Sequence, residues 1–313
     1  MVLYKCMNFE IKEKILKKKN ILIIITIIIL FCIIGFIVWK NLNKTNNQDD
    51  GRIKIVTSFY PMYILAENIT DGASNVELEN MANVNVGCLH DYTLTTEDMK
   101  KVENADIFIT NGLGMENFID TIINSNEGMY ILDSSNGIQN LISHEDETNA
   151  HIWTSIDNYI IQVRNIAEGL KENDPNSAGI YEKNANEYIQ ELENLKENYL
   201  QELEDLQGKK AICLNEAFEY LGQELGMELI TVQTDHEEST MSAEMLRSII
   251  DEVKQQNIEI ILIDKNDNKA NAETIANETG AKILELNSGL TGSMEKNAYI
   301  EAMRENFDLL CNL

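Results

Sequence analysis

The stretch AGIYEKNANEYIQELENLKENYLQELEDL, Ala178–Leu206, decides the architecture. Its apolar residues include Ile180, Tyr181, Tyr188, Ile189, Leu192, Leu195, Tyr199, Leu200, Leu203 and Leu206, most of them at helical spacing. Such a stripe predicts one amphipathic helix with a single buried side. Runs of carboxylates such as Glu191–Glu204 then read as its solvated face. At 1.5 Å per residue, a helix of nearly thirty residues is about 43 Å long. That is long for an element within one domain and suited to bridging two.

Working outward, both flanks show the same grammar. On the N-terminal side, strands are predicted at Ile53–Ser58, Val76–Ala82, Ile107–Asn111 and Met129–Leu132. Helices are predicted at Tyr63–Ile69, Thr95–Ala105, Met115–Asn124 and Asp157–Glu172, the second opened by Thr95 with Asp98 three residues later, a capping-box variant. On the C-terminal side the strands are Lys210–Leu214, Leu229–Val232, Ile258–Ile263 and Ile283–Leu286, alternating with helices at Ala217–Leu225, Ala243–Gln256, Asn271–Glu278 and Ala298–Leu310. Repeated βα units imply a parallel sheet covered by helices on both faces. The expected fold class is therefore α/β: two doubly wound parallel-sheet lobes joined by one long helix. Residues 52–174 form the first lobe, 175–208 the linking helix and 209–313 the second lobe.

An N-terminal transmembrane helix is expected to precede them. Ile21–Trp39 is an uncharged run of nineteen residues, long enough for a bilayer core. Lys12, Lys14, Lys17, Lys18 and Lys19 come before it and only Lys40 and Lys44 follow closely, so residues 1–20 are assigned to the cytoplasm. Three readings compete: a retained anchor, a cleaved signal, and a lipoprotein signal acylated at Cys32. Phe31 precedes that cysteine where a small residue is required, and no small-x-small site closes the run, which favours the retained anchor. Residues 40–51 are a polar linker. All three readings export the remainder.

The formal charge of −27 resides entirely beyond residue 50, because residues 1–50 hold eight lysines against four carboxylates. So acidic a surface repels nucleic acid and either gathers cations or simply aids solubility, the reading that charge alone favours. The five cysteines are scattered, and no disulfide framework emerges. No HExxH, Gly-x-Ser-x-Gly, Walker or dinucleotide motif is present.

Only four histidines occur: His90, His144, His151 and His236. His90 and His151 both fall in loops between predicted strands and helices, where parallel α/β sheets collect ligand groups. Imidazole suits zinc, copper, iron or nickel, and two or three such ligands with a carboxylate complete a site.

Four ordered stretches resemble the zinc/manganese-binding solute-binding proteins of metal ABC importers. They are VGCLHDYTLTTEDMKKVENADIFITNGLGMENFID, AHIWTSIDNYIIQVRNIAEGL, LNEAFEYLGQELGMELITV and IIDEVKQQNIEIILIDKNDNKANAETIANETGAKILELNSGLTG. The likeness runs from about Arg52 to the C-terminus. It implies metal, zinc with manganese as the alternative, held in a cleft between lobes and passed to an importer permease and its ATPase.

The resemblance further implies that His90 and His151 are the first-lobe ligands. Asn215 stands where the family has histidine, or glutamate in some manganese binders, and Asn287 stands where it has aspartate. Amide oxygens are weak zinc ligands and carry no charge. Three substitutes are at hand. Glu216 either presents its carboxylate or faces away from the site. His236 is either a third ligand or a solvated loop residue, and Cys88 is either a thiolate ligand or a packing residue. The loop SHEDETNA, Ser143–Ala150, either gathers metal loosely or is simply solvated. Three functions are carried forward: a binding protein for import, a weakened relative serving as sensor, chaperone or adhesin, and a zinc enzyme with Glu216 as base.

Overall fold

The computed structural model describes Leu30 and residues 32–36, 51–90, 92–126, 128–144, 147–232 and 241–313. The chain divides after Gly51. Within the expected membrane segment, Leu30 and residues 32–36 are helical, and the rest of Ile21–Trp39 lies outside the described residues. Among the described residues, no helix is long and apolar enough to cross a membrane.

From Arg52 onward the chain folds as a single unit. Its first half runs β1 (Ile53–Thr57), α1 (Tyr60–Thr70), β2 (Val76–Asn80), α2 (Thr96–Val102), β3 (Ile107–Thr110), α3 (Ile119–Ser125) and β4 (Tyr130–Asp133). These strands form one parallel sheet in the order β2-β1-β3-β4. A short antiparallel hairpin follows, β5 (Ser143–His144) with β6 (Glu147–Thr148), and then a 3-10 turn at Ile152–Thr154. Helices α4 (Ile156–Asn173) and α5 (Ala178–Leu203) lead to the second half.

There β7 (Lys210–Cys213), α6 (Glu219–Glu224), β8 (Glu228–Thr231), α7 (Ala243–Gln256), β9 (Ile260–Asp264), α8 (Ala270–Thr279), β10 (Lys282–Leu286) and α9 (Ala298–Cys311) follow in turn. The second sheet is also parallel, in the order β10-β9-β7-β8. Both sheets therefore place their first strand beside their second on one side and their third on the other. The reversal of winding falls between β1 and β3 in one lobe and between β7 and β9 in the other, and loops beyond those strand ends are where such sheets bind ligands.

Local chemistry sets the boundaries. Thr95 and Asp98 cap α2 reciprocally. The helix expected from Met115 begins only at Ile119, because Met115 and Glu116 are spent in a buried turn. The Glu116 carboxylate accepts from the Ser58 hydroxyl and from the backbone of Asn111 and Gly112. Gly112 has φ +87°, and a Cβ there would overlap the Asp133 carboxylate. The strand expected to reach Ala82 loses its regular form after Asn80, yet Met81 and Ala82 still donate to Thr57 and Ser58.

The long helix buries Tyr181, Ala185, Tyr188, Ile189, Leu192, Leu195 and Leu203. Each of the larger of these contributes roughly 1.5–3 kcal/mol when fully covered. The stripe is narrower than its pattern suggests, since Leu200 is exposed, and the last turn tightens to a 3-10 helix at Glu204–Leu206. Helix α5 packs on α1 and α4 of the first lobe and on α9 of the second. Lys196 extends this bridge, reaching Asp157 on α4 at 2.5 Å and Glu224 on α6 at 2.7 Å.

One continuous apolar core includes Phe59 and Trp153 of the first lobe with Leu262, Leu286, Met303 and Phe307 of the second. At its centre Trp153 is fully buried and donates to the Ser288 carbonyl at 2.8 Å. Tyr299 donates to the Trp153 carbonyl at 2.7 Å and stacks on Tyr159 with ring centroids 3.7 Å apart.

Candidate metal centre

The loop between β2 and α2 carries Cys88 and His90, both half-buried. His151, 3% exposed, opens the 3-10 turn after the hairpin. The fold brings the three together: the Cys88 sulfur and one ring nitrogen from each histidine lie within 4.8 Å of one another. Cys88 Sγ is 3.4 Å from His151 Nε2, and the two imidazole rings are 5.4 Å apart at 53°. In a tetrahedral zinc site with Zn–N near 2.0–2.1 Å and Zn–S near 2.3 Å, bound N and S atoms stand about 3.6 Å apart. The Cys88–His151 spacing fits that geometry, and the His90 ring nitrogen, within 4.8 Å of both, would close in to complete it.

The orientation of His151 is determined by Asn149. The Asn149 amide nitrogen donates to the Glu216 carbonyl at 2.9 Å and to the Glu219 carboxylate at 2.7 Å. Its oxygen must therefore face His151, where it accepts from both the backbone nitrogen and Nδ1 at 2.9 Å. The proton is thus assigned to Nδ1, and Nε2 is the nitrogen turned toward Cys88. An outer hydrogen bond of this kind orients a metal-binding histidine and raises its basicity. Neither Asn149 nor Glu219 was singled out by the pattern of residues. The only local signal was an asparagine two positions before a candidate ligand, a spacing that favours side-chain-to-backbone bonding.

Glu216 sits on the far side of the same ring, its carboxylate 3.6 Å from His151 Nδ1. It faces the site, but on the edge already occupied by Asn149 and away from the sulfur. The hairpin closes the outer end of this chain of contacts. His144 Nε2 lies 2.8 Å from both oxygens of the buried Glu219, which in turn bonds Asn149. Glu145 and Asp146 lie outside the described residues.

Asn215 and Asn287 are placed at the ends of β7 and β10, and both amide oxygens are already engaged. Asn215 Oδ1 caps the following 3-10 turn, accepting from Ala217 N at 3.0 Å, while Nδ2 donates to Asp267 at 2.8 Å. Asn287 Oδ1 accepts from Gly289 N at 3.0 Å, and its backbone is clamped by Asn306 through bonds of 2.7 and 2.8 Å. Asp267 has its pKa raised, chiefly by burial and further by the nearby Asp264 carboxylate. His236 lies outside the described residues.

A second polar feature lies between α1 and the Asn287–Ser293 loop. It is a cavity of about 140 Å³ lined by Tyr60, Lys265, Asn287, Thr291, Glu301 and Glu305, among others. Tyr60 donates across it to the Ser293 carbonyl at 2.6 Å.

Comparison with known proteins bears directly on this arrangement. Residues 55–312 match the family described as zinc-uptake complex component A, periplasmic. The high-affinity zinc uptake system protein ZnuA of Bacillus subtilis is 28% identical, covering 83% of this chain and 86% of its own. The manganese-binding lipoprotein MntA of Halalkalibacterium halodurans is 29% identical, covering 84% and 89%. Among solved structures, the Pseudomonas aeruginosa solute-binding protein FpvC in complex with Ni2+ superposes with a TM-score of 0.75. It is 26% identical, covering 83% of this chain and 96% of the other.

Proposed function

The chain belongs to the zinc-uptake complex component A family, and on that premise we propose that residues 52–313 bind a divalent transition metal, zinc before manganese, for import. The observation that carries this reading is the convergence of His90, His151 and Cys88 at the strand ends of the first lobe, against the second. His90 and His151 serve as ligands, and Asn149 and Glu216 stand behind His151. Asn215 and Asn287 flank the cleft as turn-forming residues; His236 is kept as a candidate on sequence grounds alone. The protein acts by binding and release, in keeping with its family, and not by turning over a substrate.

Delivery is to an ABC importer permease and its ATPase in the membrane that holds Ile21–Trp39. The uncharged run and its preceding lysines support that segment as the anchor, with the globular part on the extracytoplasmic face. The similarity to a zinc uptake protein and to a manganese-binding lipoprotein supports a metal carrier.

The test is calorimetric titration of the metal-depleted full chain in detergent with zinc and with manganese, alongside His90→Ala. One-to-one zinc binding that disappears in the variant is expected. Only weak, many-site binding to the acidic surface would retire the import reading. It would favour instead the weakened relative acting as sensor, chaperone or adhesin, a reading motivated by the two asparagines. Submicromolar zinc affinity removes that second reading.

A further inference from the structure

We propose that the Cys88 thiolate, together with His90 and His151, holds the cargo ion on the first-lobe side of the site without Asn215 or Asn287, and that this sulfur selects zinc-like ions against manganese. The inference rests on the metal-binding reading above and says which atoms do the binding.

Three observations carry it. The Cys88 sulfur is as near to His151 Nε2, 3.4 Å, as two donors on one zinc ion are to each other. In the neutral ring, with its proton held on Nδ1 by Asn149, Nε2 is the acceptor that faces the Cys88 thiol. Binding then replaces a proton by a metal: the S–H bond breaks, the sulfur keeps the electron pair and forms the bond to the ion, and the proton leaves to solvent. The oxidation state of neither partner changes.

On the other side of the cleft, the two residues at the ligand positions of the second lobe are neutral, and their oxygens cap turns at Ala217 and Gly289. The second lobe also has a cysteine near the site, and its environment is the opposite of that of Cys88. Cys213 is fully buried, donates to the Asn215 carbonyl at 2.9 Å, and has its pKa pushed up to about 12 by burial. It is a packing residue.

Thiolate and imidazole favour zinc and other borderline or soft ions, whereas manganese favours carboxylate, carbonyl and water. Three protein ligands also leave a fourth position open, as zinc sites that exchange a ligand do. An ion so held can be taken by an incoming donor without first breaking a closed shell.

The test uses the full chain loaded with zinc and, separately, with cobalt as a spectroscopic substitute. X-ray absorption of the zinc form should show one sulfur at about 2.3 Å and two imidazole nitrogens at about 2.0 Å. The cobalt form should show a sulfur-to-metal charge-transfer band that is lost in Cys88→Ser and kept in Asn215→Ala/Asn287→Ala. Zinc affinity in Cys88→Ser should fall at least ~10-fold, narrowing its margin over manganese. Tight zinc binding with no sulfur in the shell, or a charge-transfer band that survives in Cys88→Ser, overturns the proposal while leaving the metal-binding reading intact. Absence of any zinc binding in the unaltered chain instead overturns the reading on which it rests. The absorption measurement requires no variant, so a misfolded substitution cannot obscure the answer.

Discussion

In the first lobe, the loops beyond β2 and β4 deliver a thiol and two imidazoles to one point. In the second lobe, the loops beyond β7 and β10 deliver two carboxamides, each folded back on its own backbone. The strand orders are the same, so topology does not account for the difference. It arises from what the loops ask of their side chains. The outer partners of His151, namely Asn149, Glu216 and Glu219, come from both lobes and orient its ring. The partners of Asn215 and Asn287 stabilise turns. A shared architecture thus supports an edge of converging donors on one side and a turn-forming edge on the other.

The comparison breaks most simply if the second lobe proves indispensable. Removing His151 with alanine should weaken zinc roughly 100- to 1000-fold, since structural zinc sites draw about 10–16 kcal/mol from roughly four ligands. The double variant Asn215→Ala/Asn287→Ala should stay within about threefold of the unaltered protein. Competition against a chromophoric chelator measures both, and equal losses would abolish the asymmetry.

A large effect on stability, rather than affinity, is expected from Glu116 beneath the first-lobe edge. Burial pushes its pKa up to about 7 against an ordinary 4.5, although bonds from Ser58, Asn111 and Gly112 pull it down. The folded state therefore holds a proton that the unfolded state releases. This contribution is complete below pH 4.5, declines as pH rises, and is gone above about pH 7, amounting to about 3 kcal/mol across the interval. Denaturant unfolding of the protein and of Glu116→Gln between pH 4.5 and 8 should show a steeper loss of stability with pH in the former. Asp267 in the second lobe is raised in the same direction and would leave a residual slope in the variant.

Asn149→Ala should cost roughly 10- to 100-fold in zinc affinity, the usual range for an outer-shell partner of a metal-bound histidine. Circular dichroism should remain close to that of the unaltered chain. A loss smaller than twofold would mean that the ring is held by packing alone. The smallest effect expected is a gain. Asn215→His with Asn287→Asp supplies an imidazole and a carboxylate to the bare edge, and manganese affinity should rise by about tenfold. Loss of the free-ion resonance signal during titration reports it.

Much of this organisation was legible in the residues. The long helix announced itself through its stripe, and the βα alternation on either side gave two parallel sheets, because both periodicities are local. His90 and His151 stood out because histidines are few and these two fall in loops. What could not be read were contacts that join distant positions. Asn149 meets Glu219 seventy residues away, and His144 meets it seventy-five away. Neither spacing leaves a trace in a local pattern, so residues 143–150 read only as a loop that either gathers metal loosely or is solvated, and Asn149 as one residue of it. Glu216 shows the same limit: its neighbour Asn215 could be placed by analogy, but which edge of His151 its carboxylate would approach depended on the packing of the turn between them.

The apolar core that runs without a break from Phe59 to Phe307 has a thermodynamic consequence. Domains with separate cores melt separately, whereas a core shared across the lobes couples them. Residues 52–313 should therefore unfold as one cooperative unit in calorimetry, although the second sheet also packs a cluster of its own around Ile212, Ile261 and Ile275. An ion bound to the first lobe then protects the second as well. At a free metal concentration one hundred times the dissociation constant, the whole unit gains about 2.7 kcal/mol against unfolding. Heat would meet one transition, displaced upward as a whole, and amide exchange in β9 and β10 would slow on zinc binding although neither strand supplies a ligand.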